Sequence, residues 1–143
     1  QKREVVVLSG VRTAVGTYGG TLKDYPLVDL AAAVLREAVR RAQGAPGDVG
    51  QVVFGNVIHT DTRDMYLARY AGVRGGLPIE TPMYTLNRLC GSGLQAIVSA
   101  AQVIMLGDAD ATVAGGARAW PSVPVSRVAC AVRGCQADRH FAQ

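Results

Sequence analysis

The chain has 143 residues, a formal net charge of +4 and 49% hydrophobic residues, which suffices for one sizeable core and favours a single domain. No run of eighteen uninterrupted apolar residues occurs, and the N-terminal stretch has no apolar signal-peptide core, so we expect neither a membrane span nor a secretory signal. Three cysteines without a paired spacing fit a reducing compartment better than a disulfide framework. The lack of a recognisable signal predicts a cytoplasmic protein.

The positive charge is concentrated near the C-terminus. Residues 1–116 hold eleven Lys and Arg against ten Asp and Glu, whereas residues 117–143 hold four Arg against Asp138 alone. No aromatic side chains alternate with these arginines. The pattern is therefore typical of a solvated basic end and predicts no nucleic-acid partner.

The first third of the chain predicts a strand, a loop and a helix. Residues 3–10 (REVVVLSG) form a continuous β-branched run, which is typical of a buried strand, and residues 17–26 read as a loop. From Leu27 to Ala42 apolar residues recur at three and four positions while charged side chains lie opposite. This period predicts an amphipathic helix that ends before Gly44.

The next segments continue the alternation. We expect strands over 51–57, 82–87 and 111–117 and helices over 63–76 and 91–106. The helix over 91–106 is apolar almost all round and should be buried between layers. The βαβαβαβ order predicts an α/β fold with a parallel or mixed sheet and helices packed on it.

Cys90 lies between a predicted strand and the predicted buried helix, in the stretch NRLCGSGLQAI. At a helix N-terminus, unpaired N–H groups and the helix dipole favour a thiolate, and the amides of Cys90 and Gly91 could bind an oxyanion. Gly91 and Gly93 leave room for a substrate. Local chemistry alone leaves two readings open, because a small buried cysteine before a packed helix is common: a nucleophile for acyl transfer through a thioester, or an inert core thiol.

Four stretches taken together resemble the thiolase family, especially the bacterial acetyl-CoA acetyltransferases and β-ketothiolases. They are VVLSGVRTAVGTYGG, VVFGNVI, NRLCGSGLQAI and DATVAGGA, in the family's order and roughly its spacing over residues 4–117. The resemblance implies a five-stranded mixed sheet with helices on both faces, in a half-domain that packs against a similar second half. It also implies that Cys90 is the acyl-carrying nucleophile.

The same resemblance implies that part of the enzyme is missing. In the family, the Asn-Glu-Ala-Phe, Gly-His-Pro and Cys-x-Gly segments of the C-terminal half complete the site, and none of these strings occurs here. Thiolases use coenzyme A thioesters as substrates, have no bound cofactor and assemble as dimers or tetramers. We therefore expect a truncated acyltransferase that is inactive alone and forms oligomers. The alternative is a non-catalytic module that associates with intact thiolase subunits.

Other candidate residues carry weaker signals. His59 is best interpreted as a surface loop histidine, and His140 lies in the basic tail. The spacing of Cys130, Cys135 and His140 supplies only three ligands in an unpatterned segment, so we predict no metal site. The glycines of GTYGG and VAGGA lack the lysine and spacing of a phosphate-binding loop and are interpreted as turns.

The pattern changes after residue 117. Residues 118–143 show no lasting period of 2 or 3.6, and we expect a poorly ordered basic tail after a half-domain that covers 1–117. Where the family continues with Glu-Ser-Met, this chain has Arg118-Ala119-Trp120. The codons GAG-AGC-ATG-G encode the family residues, and shifted by one base they contain AGA-GCA-TGG, which encodes Arg-Ala-Trp. We therefore hypothesise a frameshift at about codon 117; the rival hypothesis is a short natural paralogue with its own tail.

Overall fold

A computed structural model describes residues 3–120 and 123–135. Every helix and strand predicted before residue 117 is present, with ends displaced by a few residues. The strands are β1 (Glu4–Arg12), β2 (Gln51–Gly55), β3 (Met83–Leu86), β4 (Ala111–Trp120) and β5 (Val123–Cys135). The helices are α1 (Leu27–Arg41), α2 (Leu67–Arg74) and α3 (Ser92–Leu106). A 3₁₀ turn over Thr62–Tyr66 replaces the first part of the predicted second helix, because the Asp61 side chain caps it by accepting the Arg63 N–H at 2.8 Å.

The strands form one mixed sheet in the order β1-β5-β4-β2-β3. β2 lies parallel to β3 and to β4, whereas β5 runs antiparallel to both β4 and β1. The predicted class, a five-stranded mixed α/β sheet with helices on both faces, is confirmed. Parallel neighbours place the carboxyl ends of β2, β3 and β4 at one edge of the sheet, and this edge carries the site described below.

Alternate residues of the central strands build two separate layers of core. Val52 and Phe54 of β2 pack with α1 and α2 on one face, whereas Val53, between them, packs with α3 on the other. In β4, Val113 and Ala114 divide in the same way. Because a strand's side chains point alternately to its two faces, one short apolar run serves both layers.

Helix α3 is buried on one face only. Ser92, Ala96, Ala100 and Ile104, which recur every four residues, are buried, while Leu94, Val98, Met105 and Leu106 are exposed. Burial of this helix between two layers requires the second half that the resemblance implies; the described residues provide a layer on one side alone, so the other side is exposed, as expected without that half. The opposite side is an exposed apolar surface, which we call the outer face of α3.

One described segment, Leu89–Leu106, is long and apolar enough for a membrane-crossing helix. This match rests on length and composition alone, and the core helix of a globular fold passes the same test. The criterion of eighteen uninterrupted apolar residues excluded this segment, because its apolar run is interrupted by Ser92, Gln95, Ser99 and Gln102.

Strand β1 differs from its prediction. It lies at the edge of the sheet, and Val7 and Leu8 are exposed, so it is not a buried strand. A continuous β-branched run indicates a buried strand only where packed layers cover both faces of the sheet, and at this edge of the sheet Val7 and Leu8 are not covered.

The segment after Gly116 also differs. The lack of periodicity predicted no regular element, yet β4 continues to Trp120 and residues 123–135 form β5. Backbone hydrogen bonds to β4 and β1 on its two sides form this strand, and such pairing requires no alternation of side chains. Residues 136–143 lie outside the described part of the chain, and the domain boundary at 117 remains a prediction.

Candidate functional site

Cys90 lies in the tight connection between β3 and α3, at the carboxyl edge of the sheet. β3 ends at Leu86, Gly91 is the N-cap of α3, and Cys90 is the residue before that cap. Its thiol is free and exposed. An inert core thiol would be buried, whereas the Cys90 thiol is exposed.

Three glycines, Gly55, Gly93 and Gly116, allow the start of α3 to sit directly on the end of β2 and on the middle of β4. A Cβ added at Gly55 would lie 2.7 Å from the carbonyl carbon and from the Cβ of Ser92. A Cβ added at Gly116 would lie 3.3 Å from the Cα of Gly93. Gly116 lies inside β4 and not in a turn, so the interpretation of VAGGA as a turn is wrong. GTYGG lies outside the helices and strands, as predicted. The absence of side chains here brings Cys90 close to the sheet edge.

The backbone amides around Cys90 divide into paired and open groups. The Gly91 N–H donates to the Arg88 carbonyl at 3.1 Å, and the Ser92 N–H donates to the Leu89 carbonyl at 3.1 Å. Within residues 3–120 and 123–135, no backbone hydrogen bond is made by the N–H groups of Cys90, Gly93 and Leu94. The open amides point to an anion-binding helix end. Gly91, named with Cys90 as an oxyanion donor from sequence, has its N–H engaged within the turn.

A cavity of about 700 Å³ opens beside Cys90. Its wall includes Cys90, Leu94 and Ile97 from the connection and α3, together with residues that follow β2 and residues of β4. Apolar side chains and glycines dominate this wall, as in pockets that take an apolar ligand segment. The cavity therefore combines an exposed thiol, open amides and an apolar surface.

Asn56, which follows β2 directly, is a buried polar residue of this wall. It is 1% exposed, its Nδ2 donates to the Asp64 carbonyl at 3.0 Å, and its backbone N–H donates to the Leu86 carbonyl. Its Oδ1 accepts no hydrogen bond from the described residues. An unpaired buried acceptor is unusual in a folded core.

Of the other candidates from sequence, only the His59 side chain lies in the described part of the chain. His59 is exposed and lies outside the lining, which agrees with its interpretation as a surface histidine. Cys130 and Cys135 belong to β5 by backbone, but their side chains lie outside the described part, as does His140 entirely. Among the described side chains no group of three His, Cys, Asp or Glu could hold a metal ion.

Sequence reasoning missed three residues of this site: Asn56, Leu89 and Ser92. Asn56 follows a strand directly, a position where parallel sheets collect functional side chains, and this signal was available. The positive φ of Leu89 and the hydrogen bonds of Ser92 depend on the shape of the turn, which residue types alone do not reveal.

Comparison with known families identifies this region of the chain. Residues 5–140 match the family described as thiolase, N-terminal domain. Over 122 residues the chain is 62% identical to the beta-ketothiolase BktB of Cupriavidus necator and 42% identical to the mitochondrial 3-ketoacyl-CoA thiolase of Bos taurus. Each alignment covers 85% of this chain and 31% of the relative, so the chain spans about a third of the length of these relatives.

Solved structures agree with the sequence relatives. The chain superimposes with a TM-score of 0.80 on the Bacillus anthracis acetyl-CoA acetyltransferase, at 42% identity over 86% of this chain and 31% of that one. The TM-score is also 0.80 for human mitochondrial 3-ketoacyl-CoA thiolase in complex with CoA, at 39% identity over 85% of this chain and 30% of that one.

Proposed function

Because the chain belongs to the thiolase family, we propose that it is the nucleophile-bearing N-terminal part of an acyltransferase. In this proposal Cys90 accepts the acyl group of a coenzyme A thioester. One observation carries the proposal: an exposed, free thiol stands beside open backbone amides at the mouth of an apolar cavity. The relative whose structure contains CoA supports coenzyme A thioesters as the substrate class.

The proposed step is a thioester exchange. The Cys90 thiolate attacks the carbonyl carbon of the acyl-CoA, and a new carbon–sulfur bond forms while the carbonyl oxygen takes negative charge. In this proposal the Cys90 N–H, which makes no backbone hydrogen bond with the described residues, stabilises this oxyanion. The bond to the CoA sulfur then breaks, and CoA leaves as a thiolate that takes a proton from solvent. The acyl group remains on Cys90 as a thioester.

Completion of the reaction requires groups that this proposal assigns to the rest of a longer thiolase. A Claisen condensation needs a base that removes the α-proton of a second acyl-CoA, and no histidine of the described residues lines the cavity. Among the described residues, no side-chain base forms a hydrogen bond with the Cys90 thiol. We therefore propose that the isolated chain is acylated once and does not turn over.

The test incubates the purified chain with acetyl-CoA and follows acetylation by peptide mass spectrometry. Trypsin cleaves after Arg88, Arg118, Arg127, Arg133 and Arg139, so each cysteine falls in its own peptide. We expect a thioester on the Cys90 peptide, its loss in Cys90→Ser, and no turnover of acetoacetyl-CoA. Equal labelling of the three cysteine peptides, or none, would contradict the proposal. Cys90-dependent turnover would show that the base is present after all.

The outer face of α3 favours a second candidate function, association with other thiolase subunits. Leu94 and Leu106 are 67% and 77% exposed, and an apolar surface of this kind is typical of an interface. Co-purification of the tagged chain with an intact thiolase would support this module, and a monodisperse monomer under the same conditions would contradict it.

We also propose the cytoplasm as the compartment. The free, exposed Cys90 thiol supports this proposal, because such thiols persist in a reducing environment. Fractionation of cells that produce the tagged chain tests it, and recovery in the secreted fraction would contradict it.

A further inference from the structure

The connection that carries Cys90 is held in an uncommon backbone conformation. Leu89, the residue before Cys90, has a φ of 50°, in the left-handed region that side chains other than glycine rarely adopt. Such a residue persists only where its surroundings hold it. Leu89 is 69% exposed, so packing of its own side chain does not supply this restraint.

Two side chains supply it through hydrogen bonds. The Ser92 hydroxyl accepts the Arg88 N–H at 2.8 Å and donates to the Leu89 carbonyl at 2.7 Å. The Asn87 side-chain oxygen accepts the Leu89 N–H at 2.9 Å. Both peptide groups of Leu89 are therefore fixed, and Cys90 follows directly.

Ser92 is well placed for this role. It is 4% exposed, and its backbone and Cβ lie against Gly55 of β2, so the residue is packed on the sheet and not on the surface. The single hydroxyl proton is used in the bond to Leu89. Ser92 therefore acts on the backbone of the connection and is not a general acid for the reaction.

We propose that Ser92 is a positioning residue for Cys90. Its hydroxyl links residues 88 and 89 to the first turn of α3, and this link directs the Cys90 N–H and thiol toward the cavity. The proposal rests on the proposed function, because it concerns acyl transfer to Cys90. It adds a residue whose contribution lies in the orientation of the nucleophile and its amide.

The test compares two reagents with different demands on the connection. p-Nitrophenyl acetate acetylates a thiol: a sulfur–carbon bond forms, an oxyanion is stabilised on the way, p-nitrophenolate leaves and the thiol proton passes to buffer. Iodoacetamide alkylates the same sulfur without an oxyanion. The ratio of acetylation to alkylation at the Cys90 peptide therefore reports how well the amide is placed, and a general loss of stability does not predict a fall in this ratio.

Ser92→Ala removes both hydrogen bonds of the hydroxyl. We expect the ratio at Cys90 to fall by roughly tenfold, less than the roughly hundredfold or more that loss of an oxyanion donor costs in enzymes. Ser99→Ala is the matched control, since Ser99 lies in the same helix and bonds only Gln95. It should leave the ratio unchanged.

A second substitution covers the case in which Ser92→Ala does not fold. Asn87 is exposed, so Asn87→Ala removes the other restraint on Leu89 without opening the core, and Asn87→Asp retains an acceptor oxygen. We expect a several-fold lower ratio in Asn87→Ala and recovery in Asn87→Asp. Circular dichroism establishes that each variant is folded.

The outcomes separate this inference from the proposed function. If wild-type Cys90 is acetylated no faster than Cys130 and Cys135, the proposed function fails. If wild-type Cys90 is acetylated selectively and folded Ser92→Ala and Asn87→Ala keep the wild-type ratio, the positioning role fails and the proposed function stands.

Discussion

Gly55 and Ser92 lie in such close contact that a Cβ at position 55 would come within 2.7 Å of two carbon atoms of Ser92. Gly55 ends β2, and Ser92 begins α3. The contact therefore fixes the distance between the start of α3 and the edge of the sheet. Because Cys90 lies just before α3, its position is fixed as well. Only glycine permits this approach.

Gly55→Ala should displace the first turn of α3. We expect a loss of about 1–3 kcal/mol in the free energy of unfolding, as for other overpacked sites, together with slower acetylation of Cys90. Urea denaturation and peptide mass spectrometry measure the two effects. Gly10→Ala is the matched control, because a Cβ at Gly10 meets nothing within 4 Å. Equal stability of the two variants would show that the close contact is not required.

Cys90 should be the most reactive thiol of the folded chain. We expect iodoacetamide at neutral pH to alkylate the Cys90 peptide several-fold faster than those of Cys130 and Cys135, because Cys90 is exposed at a helix N-terminus. Concentrated urea removes the helix and should bring the three rates together. If Cys90 still reacted faster than Cys130 and Cys135 in urea, its reactivity would come from residues next to it in sequence and not from the folded helix end.

Glu37 should contribute stability that depends on pH. Hydrogen bonds from Arg40 and Arg41 lower the pKa of Glu37 from 4.5 to about 2. The folded chain thus binds this proton less tightly than the unfolded chain, so the contribution is complete above pH 4.5 and is lost as the pH falls toward 2.

Glu37→Gln tests this contribution. We expect it to lower the melting temperature slightly at pH 7 and to have no effect near pH 2. Glu80→Gln is the control, since Glu80 forms no ion pair with the described residues. A difference between Glu37→Gln and wild type that stays constant across this range would contradict the assignment.

The outer face of α3 should drive self-association. Val98→Gln combined with Leu106→Gln reduces its apolar area, and we expect a lower average mass in sedimentation velocity. Ile79→Gln provides the matched control, because Ile79 is 64% exposed and lies outside α3. An unchanged mass distribution in the double variant would place the interface elsewhere.

Local patterns were sufficient to predict most elements of this fold. The three- and four-residue spacing fixed α1 because one face meets the sheet and the other meets solvent, and the stretch around Cys90 marked the turn into α3. Patterns were not sufficient where pairing partners decide the outcome. The β-branched run predicts that Val7 is buried, but Val7 is exposed on an edge strand. Val132 is buried, although its strand, β5, shows no periodicity in sequence. The positive φ of Leu89 likewise arises from hydrogen bonds between side chain and backbone that no spacing encodes.

The frameshift hypothesis for the residues after Ala117 makes a prediction about the gene. If a frameshift precedes Arg118, resequencing of the gene across codons 115–120 will show an extra or missing base. A second reading frame downstream will then encode the Gly-His-Pro and Cys-x-Gly segments. An in-frame read without such a base would support a natural short paralogue.

The pairing of Glu4 with Cys135 ties the two extremes of the described chain together. During synthesis β1 is the first of the five described strands to leave the ribosome, yet β5, the strand that holds it, is the last of the five. The sheet therefore closes only after β5 has been made, and contacts so distant in sequence slow folding. A chain that stopped at Trp120 would leave its own first strand with nothing to pair against.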